Sequence, residues 1–203
     1  MVSSNTLTSL LKRTLFKILC LRVITFEIVI LNYRAVKRKM SITVRQIEIK
    51  DAEGFYNALS SVAAEKEYIL TLEPPPFEST QTFIKTNVEN NHAQYIAESN
   101  ETIVGWADII PFTRRSMTHV GSLGIGVISE FRGQGIGQRL LEKTIEHAWL
   151  QGLKRLELEV FSDNEIAMNL YKKYGYQVEG IKRYARCLNG DYQDIVVMAQ
   201  YRI

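Results

Sequence analysis

The sequence has little cysteine, histidine or proline. Its 203 residues include 2 cysteines, 3 histidines and 4 prolines. Cys20 and Cys187 lie far apart and form no C-x-x-C pair, which argues against a disulfide framework and indicates a reducing, cytoplasmic compartment. The histidines share no ligand-like spacing, so we predict no metal site. With a hydrophobic content of 46%, the chain can bury a packed core.

Long apolar runs are also lacking. The most apolar stretch, residues 10–31, is interrupted at five positions by charged side chains. No run of about 18 uncharged apolar residues remains, so we predict no transmembrane helix. A secretory signal fits poorly as well, because no small-residue cleavage site follows the stretch.

The net charge of +3 comes from one end of the chain. Residues 1–39 hold eight Lys and Arg against one acid, whereas the remainder holds 17 against 21. A nucleic-acid function would rest on this segment alone, so we predict no specific nucleic-acid partner. We expect residues 1–39 to be a basic extension or a mis-assigned start before Met40, and residues 40–203 to form the functional domain.

The order of predicted elements is typical of an α/β protein. Alternating β-branched residues predict strands, spaced apolar residues predict helices, and the prolines of residues 73–77 predict a rigid connection. We predict a mixed sheet flanked by helices. The expected strands are 41–49, two in a hairpin over 93–112, 119–128, 155–161, 176–180 and 192–200. Four helices are expected. The first begins at Asp51, the second follows residue 77, the third begins near residue 136 and the fourth spans 164–174.

Three glycines crowd the start of one predicted helix, in the stretch RGQGIGQ at residues 132–138. Free backbone N–H groups and the helix dipole make a helix N-terminus a site for phosphate, and glycines allow close approach. The spacing matches neither the dinucleotide fingerprint nor the P-loop. By itself, the cluster is also compatible with a plain tight turn.

Two motifs together resemble the signatures of the GCN5-related N-acetyltransferases (GNAT). The first is Arg132-x-x-Gly135-x-Gly137, which follows a glycine-bearing strand. The second is LELEVFSDNEIAMNLYKKYGY at residues 156–176, a strand followed by Asn-x-x-Ala, Leu-Tyr and Tyr-Gly-aromatic. The resemblance spans about residues 41–203. It implies a mixed, mostly antiparallel sheet of six to seven strands with splayed central strands, and acetyl-CoA as cosubstrate.

The resemblance also implies which residues contact the cosubstrate. The main chain of Ile125, Gly126 and Val127 would bind the pantetheine arm between the splayed strands. Asn164 would contact the same arm, although Ser162 and Glu165 stand at capping-box spacing and mark the same stretch as a helix start. The pyrophosphate would lie on the glycine loop, whose residues are Arg132, Gly133, Gln134, Gly135, Ile136, Gly137 and Gln138.

Two residues are candidates for proton transfer. Tyr171 would protonate the departing thiolate, since a phenol is protonated at neutral pH; the alternative is simple packing in the core. Glu159 would act as base towards the amine, directly or through water, with Glu157 on the same face of the strand. Either glutamate could instead be an ordinary exposed charge.

The predicted function is transfer of acetyl from acetyl-CoA to a primary amine by direct attack. Residues 182–199 look similar to relatives that acetylate free amino acids or other small amines. An enzyme acting on protein N-termini, which shares the Glu159 position, and a catalytically silent acyl-CoA sensor remain alternatives. The partner would be a small-molecule amine, and a homodimer is compatible with these expectations.

Overall fold

The computed structural model describes residues 41–202, and those from Ile42 onward belong to one compact unit. The predictions about residues 1–39 lie outside the described residues. In residues 41–202, no helix is long and apolar enough to cross a membrane. The strands are β1 Ile42–Gln46, β2 Ala93–Ser99, β3 Thr102–Pro111, β4 Val120–Val127, β5 Arg155–Phe161, β6 Gln177–Leu188 and β7 Asp191–Tyr201. The α-helices are α1 Ala52–Glu65, α2 Phe77–Glu89, α3 Ile136–Leu150 and α4 Glu165–Lys173.

The seven strands form one mixed sheet in the order β1-β2-β3-β4-β5-β7-β6. Five neighbouring pairs are antiparallel, and the central pair, β4 with β5, is parallel. Hairpins join β2 to β3 and β6 to β7, as tight turns allow. The expected mixed, mostly antiparallel sheet of six to seven strands is confirmed.

Helices cover both faces of the sheet. One face packs on α1 and α2, through a cluster that includes Phe55, Ile84 and Trp106. The other packs on α3 and α4, through clusters that include Leu140 and Leu158. The buried side of α3 is the predicted apolar side: Ile136, Leu140, Leu141, Thr144, Ile145 and Ala148. This periodicity fixes the orientation of α3 and so of the glycine loop that precedes it.

Two strand boundaries differ from the prediction. β1 ends at Gln46 rather than residue 49, and a 3-10 turn, Ile49–Asp51, follows it. Arg45 holds that turn, because its guanidinium donates to both carboxylate oxygens of Asp51 at 2.6 and 2.8 Å. At the other end, β6 extends to Leu188 instead of residue 180. As an outer strand it is largely exposed and polar, so it lacks the apolar alternation that would predict it.

Candidate active site

The strands β4 and β5 separate part-way along their length. They pair only between Val120–Ser122 and Arg155–Glu157. Beyond that point β4 stays paired with β3, and β5 with β7, up to their ends. The edges that face each other across the gap therefore carry main-chain groups without a strand partner, and these groups can bind an extended ligand as a sheet binds another strand.

A pocket of about 420 Å³ opens in this gap. Three residues that the sequence singles out, Glu159, Asn164 and Tyr171, line it together with Ile125. Its walls also include Leu123 and Gly124 of β4, residues 157–161 of β5, Ile195 and Val197 of β7, and residues 68–70 of the segment after α1. Gly126, Val127 and the glycine loop lie outside this pocket, further along the chain from the point where the strands part.

The glycine loop presents bare backbone at the start of α3. Gly133 and Gly135 have φ of +73° and +75°, and a Cβ at either position would meet no atom within 4 Å. No side chain caps the helix, whose N-cap residue is Gly135. The first amides of α3 are thus left for an outside acceptor, and the open space admits one. This arrangement fits the pyrophosphate that the resemblance places here.

The guanidinium of Arg132 is bound by other groups of the protein. Its guanidinium donates to both carboxylate oxygens of Glu65 at 2.7 Å, and its Nε donates to the carbonyl of Val127 at 2.8 Å. The guanidinium also stacks 4.4 Å from the ring centre of Tyr68. Arg132 therefore fastens the loop to the end of α1. Arg139 is similarly engaged, donating to the carbonyl of Ile42 at 2.9 Å.

Glycines in β4 make room for side chains of β3. A Cβ on Gly126 would come within 2.3 Å of the Trp106 ring, closer than real contacts allow. A Cβ on Gly124 would come 3.1 Å from a carboxylate oxygen of Asp108. The glycines of β4 are therefore explained by packing against the side chains of β3 as well as by access for a ligand.

Tyr171 lies at the floor of the pocket. Its side chain is only 7% exposed and packs edge-on against Tyr176, with ring centres 6.0 Å apart. Burial raises the pKa of Tyr171 well above that of a free tyrosine, so the phenol keeps its proton. Packing and proton donation are therefore compatible, since the same residue belongs to the core and lines the pocket.

The two glutamates of β5 share one face, as predicted, and each has a basic neighbour. Glu159 is paired with Lys182 of β6. Glu157 accepts a hydrogen bond from Arg155 at 2.9 Å. Both line the pocket. For Glu159 to take a proton from an amine, its contact with Lys182 must open or the proton must pass through water.

Comparison with known proteins identifies the family. The model of the Acetyltransferase (GNAT) family matches residues 55–176, more than half of the chain. The chain belongs to the GNAT family. It is accordingly an N-acetyltransferase, an acyltransferase by reaction class.

Two relatives differ in the acceptor that their names denote. L-amino acid N-acetyltransferase AaaT of Escherichia coli (strain K12) is 31% identical over 164 residues, which cover 79% of this chain and 98% of the relative. N-alpha-acetyltransferase RimI of Mycobacterium tuberculosis is 37% identical over 93 residues, which cover 45% of this chain and 57% of the relative.

Solved GNAT structures share the fold. The acetyltransferase of GNAT family from Streptococcus pneumoniae gives a TM-score of 0.74 at 27% identity, covering 80% of this chain and all of that one. A GNAT phosphinothricin acetyltransferase from Sinorhizobium meliloti was solved in complex with AcCoA. It gives a TM-score of 0.73 at 18% identity, covering 80% of this chain and 89% of that one. At that identity the second likeness concerns the fold alone.

The second GNAT motif forms the start of α4, with one correction. The N-cap is Asn164, whose side-chain oxygen accepts from the amide of Ala167 at 3.1 Å, so the capping box from Ser162 to Glu165 is wrong. Asn164 caps the helix and lines the pocket at once. At the other end of α4, Lys173 donates to Gln138 of α3 at 3.1 Å.

Sequence reasoning missed Asp108. It lies within the otherwise apolar end of β3, in the stretch WADIIPF, on the face covered by α1 and α2. Burial raises the pKa of Asp108 to about 7. The sequence signal that could have found it is a single acidic residue within an apolar strand, because burying an unpaired charge costs free energy unless the charge has a function.

Proposed function

We propose that this GNAT enzyme acetylates the amino group of a free amino acid or a similar small amine, with acetyl-CoA as cosubstrate. The observation that carries the proposal is the extent of the match to AaaT, which runs over nearly all of that relative. The matches to RimI and to a putative ribosomal-protein-alanine N-acetyltransferase of Bacillus subtilis cover less of this chain, 45% and 65%. Acetylation of protein N-termini is therefore the second candidate.

The cosubstrate assignment is supported by the two halves of the site. Beyond Ser122, β4 no longer pairs with β5, which leaves the main chain of Ile125 facing the gap for the pantetheine arm, with Asn164 nearby. The carbonyl of Val127 already accepts a hydrogen bond from Arg132. The glycine loop offers free amides and open space for the pyrophosphate. A known GNAT structure with AcCoA bound shares the fold.

Proton transfer is assigned to residues that line the pocket. Tyr171 would give a proton to the departing CoA thiolate, and its raised pKa keeps that proton available. Glu159 remains the candidate base predicted from the sequence, acting directly or through water. We place the activity in the cytoplasm, in keeping with a free, exposed Cys187.

The test is release of CoA thiol from acetyl-CoA in the presence of single acceptors. The panel contains the free L-amino acids, polyamines, aminoglycosides and peptides with free N-termini. We expect the highest kcat/KM among free amino acids or other small amines. A preference for peptides would favour the second candidate, and tight acetyl-CoA binding with no release across the panel would identify a sensor.

A further inference from the structure

A second pocket lies beside the first, on the face of the sheet covered by α1 and α2. Its volume is about 310 Å³. Asp108 is the one ionisable residue among the described residues that line it; the others are Phe55, Leu59, Thr71, Pro75, Ser79, Thr80, Phe83 and Trp106. A small molecule that enters this pocket therefore meets aromatic and hydroxyl groups and a single carboxyl group.

Asp108 stands where the two pockets adjoin. It lines the second pocket, and its carboxylate lies against Gly124, which lines the first. The segment after α1 contributes to both pockets in the same way, through residues 68–70 on one side and Thr71 on the other. Because Gly124 has no side chain, it places no side-chain atom between the carboxylate and the gap between β4 and β5.

Gly124 is also close to the point where acetyl transfer must occur. The strands part after Ser122. If the pantetheine arm lies on Ile125–Val127, the thioester falls near residues 123–124. On the α3 side of β4, Leu123 and Ile125 pack into the core. The opposite side carries Gly124 and the carboxyl group of Asp108, so an amine has room to approach there.

Polar groups in the second pocket lack partners within the protein. No donor among residues 41–202 forms a hydrogen bond with the Asp108 carboxylate, and burial with no compensating charge raises its pKa to about 7. The hydroxyl of Thr80, 2% exposed, is buried without a hydrogen-bond partner in this part of the chain. A partly buried carboxylate and a buried hydroxyl, both without partners among these residues, are explained if a substrate completes them.

We propose that Asp108 receives the ammonium group of the acceptor amine and takes its proton before the amine attacks acetyl-CoA. The inference rests on the proposed function and names a base other than Glu159. One N–H proton moves to the carboxylate of Asp108 and then to solvent. The C–N bond forms as the C–S bond breaks. Tyr171 gives its phenol proton to the departing thiolate, and the second proton of the nitrogen restores the phenol as the amide forms.

Among the described residues, no other ionisable side chain of the second pocket could act as the base. α1, α2 and residues 71–75 present no ionisable side chain to that pocket. Across β4, in the first pocket, stand Tyr68, Tyr171, and the glutamates of β5 paired with Arg155 and Lys182: Glu157 and Glu159. A base with a pKa near the working pH is the most effective one, and Asp108 meets that condition.

The test compares Asp108→Asn with Glu159→Gln in the full chain. kcat/KM is measured from pH 5 to 9 with the free L-amino acid that the panel shows to be the best acceptor. In the wild type, kcat/KM should rise with pH and level off near pH 7. Asp108→Asn should lower it about 10²- to 10³-fold at pH 7, in line with the loss of a general base. Its residual rate should keep rising with pH as the amine loses its own proton in water.

Unchanged kcat/KM in Asp108→Asn, or loss of the pH 7 plateau in Glu159→Gln alone, would overturn the proposal. Acetyl-CoA binding by both variants shows that each is folded. If the wild type acetylates nothing in the panel, the proposed function fails by itself. Asp108 is then judged by the ¹³C shift of its carboxyl carbon against pH: a midpoint near 7 supports the unpaired carboxylate, and one below 5 overturns it.

Discussion

The glycine loop and the second pocket are built in opposite ways. The loop is a run of consecutive residues, 132–138, that offers backbone amides and open space. The pocket beside Asp108 is assembled from side chains of α1, α2, β3 and the segment between the helices. The loop suits a ligand common to many enzymes, whereas the side-chain pocket can vary with the acceptor.

Tyr171→Phe should have the largest effect and tests the cosubstrate side of this comparison. The change keeps the ring that packs on Tyr176 and removes the hydroxyl that would protonate the thiolate. General acid catalysis is worth about 10² to 10⁴ in rate, so kcat should fall by that factor. Acetyl-CoA affinity should change little, because the hydroxyl acts mainly in the transition state. Steady-state kinetics and calorimetric titration measure the two quantities.

Tyr176→Phe is the matched control, since Tyr176 is also buried but does not line the pocket. It should leave kcat close to the wild-type value. Because burial raises the pKa of Tyr171, the wild type should not lose kcat through ionisation of this group below about pH 10. Near-full kcat in Tyr171→Phe would leave this residue a packing role only.

Gly135→Asp should weaken CoA binding by about 30-fold, about 2 kcal/mol. The new carboxylate would stand beside the free amides at the start of α3, where it repels the pyrophosphate and competes for the same donors. Gly152→Asp is the control: Gly152 also has a positive φ and open space around it, but it lies beyond the other end of α3. Equal CoA affinity in the two folded variants would remove the phosphate assignment from the loop.

Shortening the chain to residues 40–203 should have the smallest effect. The charge and broken apolar pattern of residues 1–39 predict no share in the catalytic domain. We expect the shortened chain to keep both halves of the site, with CoA affinity and melting temperature close to those of the full chain. Aggregation or a much lower melting temperature would assign the segment a structural role.

The cosubstrate side was predictable because its determinants are local in sequence. The glycines at 133–137, the helix that follows and the Asn-x-x-Ala start of α4 each lie within one short motif, and each forms where expected. The splay of β4 and β5 followed from the resemblance. Their roles towards CoA remain predictions, which the variants above address.

The acceptor side was not predictable for the opposite reason. Asp108 and Thr80 lie 28 positions apart and line the same pocket only because α2 packs on the sheet beside β3. The pairing of Glu159 with Lys182 likewise depends on β6, an exposed strand whose polar sequence concealed its length. Contacts of this kind have no short-range pattern, so a single sequence carries no signal for them.

The contact between Trp106 and Gly126 couples the two sides of the site, so a substitution at one residue alters the space at the other. The indole occupies the volume that a Cβ at position 126 would need, so the wall of the second pocket and the strand proposed to face the pantetheine share one steric boundary. An engineer who trims Trp106 to admit a bulkier amine also frees space above β4. Acceptor range and cosubstrate alignment are thus adjusted by the same two residues, and a redesign of either has to choose both together.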